Sequence, residues 1–161
     1  MHIKTSEQEK LTLGFGDYTC NWGLHIAGLY ETLEERDEII FGFFTHGYKE
    51  GELQLYAAGE RSPDQFKNEF GEYCPQCKKD LENPQYFSIK TAKELYYPEG
   101  TFSPVEIDNN VDEFYHWSQR DGENNIRATA EMVWALEAIP GAEHLMAYES
   151  RLNYFIPGKP W

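Results

Sequence analysis

The chain has 161 residues, which suits one domain of ordinary size, and 40% of them are hydrophobic, enough for a core. With 28 acidic against 14 basic residues the formal net charge is −14. A surface this acidic repels phosphate backbones and anionic lipid, so direct nucleic-acid or membrane binding is disfavoured. The polar N-terminus lacks a signal-peptide core. The longest apolar cluster, Ile39 to Phe44, is too short to span a bilayer. The protein therefore reads as cytoplasmic, and its 3 cysteines, an odd number, fit that compartment.

Residues 1–12 read as a polar arm, and residues 13–161 as a single domain. Leu24 to Tyr30 is the first expected strand. Thr32-Leu-Glu-Glu35 has the capping-box pattern that opens a helix. Ile39, Ile40, Phe43, Phe44 and Tyr48 then recur at helical spacing, and Gly51 is a stop. Leu53 to Ala58 is a second strand. Ser62-Pro-Asp-Gln65 starts a short helix carrying Phe66 and Phe70, which Gly71 ends. Residues 72–85 read as irregular. Tyr86 to Ile89 is a third strand and Tyr97-Pro-Glu-Gly100 a turn. Ser103-Pro-Val-Glu106 opens another helix. Asn125 to Ala130 is a fourth strand, and a last helix runs from Ala142 to Phe155.

Strands alternating with capped helices imply an α/β fold with a mainly parallel sheet flanked by helices. Ligands in such sheets bind beyond the carboxyl ends of the strands. Tyr30, Glu60, Glu131 and Trp134 all fall near that edge.

No phosphate-cradling glycine pattern stands between a strand and a helix, which removes the main support for nucleotide hydrolysis. Cys74-Pro-Gln-Cys77 has the spacing of two thiolates on one metal. Cys20 with His25 or His46 would complete a zinc-type set, against the plainer reading of two surface thiols. A redox reading of the same pair is weaker, because such a motif should follow the first strand and open a helix. His25 is either a core histidine bonded to backbone or a ligand contact. Arg127 and Glu131 interrupt the apolar run Arg127 to Leu136, and both are costly to bury without partners. On a strand they share a face roughly 13 Å apart, too far to pair directly. On a helix they would form an ordinary ion pair. Glu149 is a candidate partner for Arg127.

The sequence resembles the MEDS domain, a methanogen/methylotroph sensory domain. The resemblance rests on His25-Ile-x-x-Leu-Tyr-Glu31, Gly47-Tyr-Lys-Glu-Gly-Glu52, Tyr96-x-x-x-Gly100-x-Phe102, Arg127-x-x-x-Glu131-Met-x-Trp-Ala-Leu136 and Tyr148-Glu149-x-x-Leu152-Asn153, in that order. It implies a RecA/KaiC-like three-layer sandwich without the phosphate loop. It also implies a non-enzymatic sensor of small hydrocarbon derivatives, such as methylated or halogenated C1 compounds, that signals through a separate partner. On that reading His25 and Arg127 supply polar contacts and Glu131 orients Arg127 or the ligand. Tyr30, Tyr96 and Trp134 form apolar walls. The alternative is a zinc protein built on Cys20, Cys74, Cys77 and His25. The family pattern continues into a further strand, so an exposed sheet edge here would favour a homodimer.

Overall fold

A computed structural model describes residues 10–120, 122 and 124–161. Most of the expected polar arm, residues 1–9, lies outside the described residues. Its end does not stay an arm. Leu11–Thr12 (β1) pairs antiparallel with Thr19–Cys20 (β2), and the Leu13 N–H donates to the Tyr18 carbonyl at 3.0 Å to close the hairpin.

Leu33–Glu50 (α1) begins where the capping pattern places it. Thr32 accepts from the Glu35 N–H and Glu35 reaches back to the Thr32 N–H, so both free donors are satisfied. The helix ends at Gly51, whose φ of 73° an L side chain rarely adopts. The hairpin lies directly on this helix. A Cβ on Gly42 would stand 2.5 Å from the Gly14 carbonyl oxygen, so the contact requires glycine there.

Leu53–Ala58 (β3) is the central strand. Pro63–Tyr73 (α2) follows, with its own capping box between Ser62 and Gln65. Phe87–Thr91 (β4) runs into the short helix Ala92–Tyr96 (α3). Next come Pro104–Ser118 (α4), Ile126–Ala130 (β5), a 3₁₀ turn over Val133–Leu136, and Leu145–Phe155 (α5), entered through a 3₁₀ turn over Ala142–His144. The three strands β4-β3-β5 form a parallel sheet in that order.

Side-chain alternation on β3 divides the core in two. Tyr56 and Ala58 face α1 and α2, where they pack with Ile40, Phe41, Phe44, Phe66 and Phe70. Ala57 faces the other way, into Tyr96, Ile107, Trp134 and Tyr148 from α3, α4, the 3₁₀ turn and α5, and Phe102 from the α3–α4 connection. The result is an α/β sandwich of three layers with the parallel sheet in the middle. Among the described residues, no helix is long and apolar enough to cross a membrane.

One expected element is absent. Leu24 to Tyr30 pairs with no strand and has no regular structure. A short apolar run holding Gly28, and following Gly23, has weak strand preference, and Ile26 and Leu29 are exposed rather than buried between layers. The outer edge of β5 is not bare at its start, since the Ile126 N–H donates to the Pro160 carbonyl at 2.7 Å.

Candidate functional site

The two connections at the centre of the sheet diverge. After β3 the chain turns to α2 on one face, and after β5 it turns to the Trp134 3₁₀ turn on the other. In open parallel sheets this divergence opens a crevice beyond the carboxyl ends of the two strands. At this edge stand Gly59, Glu60, Arg61 and Glu131, with Gly59 packed closely against Glu131 and Val133.

Glu131 is buried and sits one residue past β5, and its own N–H donates to the Ala57 carbonyl at 3.0 Å. Its carboxylate accepts a hydrogen bond from the Tyr56 hydroxyl and another from the Glu60 N–H at 3.2 Å. Two buried arginines stand beside it. Arg61 Nε lies 3.6 Å and Arg36 Nη1 3.9 Å from the Glu131 oxygens. Arg61 donates from Nε to the Tyr56 hydroxyl at 3.2 Å, from Nη2 to Asp37 at 2.6 Å and from Nη1 to Glu69 at 2.8 Å. Arg36 donates to Asp37 at 3.0 Å and to Glu60 at 3.1 Å. Burial, then the neighbouring Glu131 charge, pushes the Tyr56 hydroxyl far above its ordinary pKa, so it stays a neutral donor.

Tyr30 stands within electrostatic reach of this network. Burial first, then the charges of Glu131 and Glu60, raise its pKa. It also lines a depression of about 510 Å³ between the β1–β2 hairpin, the segment around Leu29 and the first turns of α1.

Arg127 is elsewhere. It lies near the amino end of β5, on the same face as Glu131, as the strand geometry requires. Its Nε and Nη2 donate to the two oxygens of Glu52 at 2.6 and 3.2 Å, and its Nη1 donates to the carbonyls of Thr12 and Leu13 at 3.1 and 3.2 Å. The guanidinium lies 4.6 Å from the Phe43 ring centre. Gly47 makes room for the pair, because a Cβ there would stand 2.8 Å from Glu52 Oε2 and 2.9 Å from Arg127 Cδ. Four of the five N–H donors of the arginine are used here, and none of them reaches Glu131. The expected Glu149 partner is also elsewhere. Glu149 pairs with His25 at 3.1 Å. Burial raises the pKa of Glu149, with His25 opposing the shift.

Tyr96 and Trp134 do come together, stacked with ring centres 5.2 Å apart, and Tyr97 and Phe102 each lie 5.3 Å from the indole. They form packed core rather than the wall of an open chamber. The buried Trp134 Nε1 makes no hydrogen bond within the described residues.

The cysteines do not assemble a metal site. Cys74 and Cys77 are joined to each other in a buried disulfide, within the core cluster that holds Phe70 and Leu81. Cys20 is a free thiol on β2, its pKa raised by burial and partly lowered by nearby Arg127. Among the described residues, no group of three or more His, Cys, Asp or Glu side chains is placed to hold a metal ion.

The family model for MEDS, the MEthanogen/methylotroph, DcmR Sensory domain, matches residues 24–161. The chain belongs to the MEDS family. It is therefore a sensory domain. The matched span takes in all three strands of the parallel sheet and the Tyr30 segment, and begins after the β1–β2 hairpin. No curated protein and no solved structure matches the chain.

Arg36, Tyr56, Arg61, Asp37 and Glu69 were not singled out from sequence. Arg61 carried a signal, since it stands between the end of a parallel strand and a helix N-cap, where such folds place ligand-side residues. Arg36 and Asp37, in the first turns of α1, carried none.

Proposed function

We propose that this MEDS domain binds a small hydrocarbon derivative at the carboxyl edge of its sheet, without chemistry on it, and passes the event to a separate partner. The observation that supports this most is the buried Tyr56–Glu131–Arg61–Arg36 network beneath Tyr30, at the point where the β3 and β5 connections diverge. Tyr30 is the part of this edge a ligand meets first. Glu131 then links that edge to the aromatic core. It leaves β5, and only Met132 and Val133 separate it from Trp134, so a shift of Glu131 moves the indole against Tyr96 and Phe102. His25 holds the other end of the Tyr30 segment to α5 through Glu149. Arg127 has no ligand role in this reading.

Titration with dichloromethane and with methanol, followed by tryptophan emission, tests the proposal. A saturable change with either compound, lost in Trp134→Phe and in Glu131→Gln but kept in Trp117→Phe, is the expected result. A flat response to both compounds, or one unchanged by either site substitution, would sink it.

A further inference from the structure

The depression beside Tyr30 has a chemistry of its own. It is lined by the rings of Phe15, Tyr18 and Tyr30, by Leu29 and Ile39, and by Glu31, Glu35 and Glu38; among the described residues no Lys, Arg or His lines it. Phe15 and Tyr18 stand at an angle of 54° with ring centres 6.2 Å apart, a corner rather than a flat stack. The carboxylates are gathered by the start of α1, where positions four and seven along from Glu31 return to one side. Glu35 spends one oxygen on the Glu31 and Thr32 N–H groups. The hairpin is held over this helix by the Gly14–Gly42 contact, so rings and carboxylates face one space.

We infer that this depression takes a methylated ammonium cation. The inference rests on reading the carboxyl edge as the sensing site and names the ligand class for it. A quaternary or tertiary ammonium presents methyl groups that lose little on leaving water, and its diffuse charge is attracted to ring faces. Three carboxylates add long-range attraction for a cation and repel anions. A neutral ligand of the same shape gains only the apolar contact. A bare ammonium ion loses its hydration shell without enough acceptors to replace it. A volume of about 510 Å³ also falls in the usual range for small-molecule sites.

The test compares choline with 3,3-dimethyl-1-butanol, which have the same shape and differ in charge, on the whole chain by calorimetry and amide chemical shifts. Saturable choline binding is expected, with shifts at Gly16, Leu29 and Glu31, and binding of the neutral compound weaker by about tenfold or more. The exposed double substitution Glu31→Gln/Glu38→Gln should weaken choline about fivefold, and added salt should weaken it in the parent but less in the variant. Equal binding of both compounds would overturn the cation assignment alone. So would dichloromethane or methanol binding without choline. Silence from choline and from both neutral C1 compounds would overturn the sensing reading as well.

Discussion

The two ends of β5 carry the same pair of residue types and do different work. At the amino end Arg127 meets one carboxylate in a two-point pair, both side chains 1% exposed, with two backbone carbonyls accepting from its Nη1. At the carboxyl end Glu131 is as deeply buried, but its arginines reach outward to Asp37, Glu60 and Glu69, which are 30%, 46% and 49% exposed. The first arrangement is closed and can only hold the hairpin to the sheet. The second runs from the core to solvent beside Tyr30. Burial of a charge alone does not mark a binding site; what separates the two is whether its hydrogen-bonded neighbours lead to the surface.

Breaking the closed end should cost the most stability. Arg127→Ala leaves Glu52 buried without a partner and should destabilise the fold by about 3–5 kcal/mol in urea unfolding, whereas Arg127→Met with Glu52→Met should recover most of that loss. The double variant should still respond to ligand, and loss of its response would erase the distinction between the two ends. At the open end Glu131→Gln keeps the shape and removes the charge, so a smaller loss of about 1–3 kcal/mol is expected, together with loss of the ligand response. A stable, fully responsive Glu131→Gln protein would place the sensing site elsewhere.

The smallest effect concerns the His25–Glu149 tie. The folded pKa of Glu149 is raised above 4.5, so the native state holds this proton more tightly than the unfolded chain. Its contribution is therefore most favourable at low pH and declines as pH rises through the raised value. Urea unfolding of the parent and Glu149→Gln from about pH 4 to pH 7 should differ in slope by under about 1 kcal/mol across that window, with the variant flatter. Identical slopes would contradict the assigned direction.

The helix starts were legible because Thr32, Ser62 and Ser103 announce them through local hydrogen bonds that need no tertiary context. The same signal, Thr91 with Glu94, also stood in the sequence for α3, a helix that was not expected there. β3 and β5 were legible because buried parallel strands are short apolar runs between turn residues. Leu24 to Tyr30 misled because an apolar run says nothing of whether a neighbouring strand exists to pair with it. The Arg127–Glu52 pair was invisible for another reason. It joins residues 75 apart in the chain, and only the parallel register of β3 with β5 brings them together. The carboxyl-edge placement of Glu60 and Glu131 followed from strand order, whereas Tyr30 was placed there by a strand that does not form. The arginines that complete the network depend on how α1 packs against the sheet, which no local pattern reports.

The most direct test of the divided strand is an amide chemical-shift map of the chain titrated with choline and with dichloromethane. The account predicts changes confined to Phe15–Tyr18, Gly28–Glu31, Gly59–Arg61 and Glu131–Trp134, with Glu52 and Arg127 unmoved. Shifts centred on Glu52 and Arg127, with the Glu131 end silent, would contradict it.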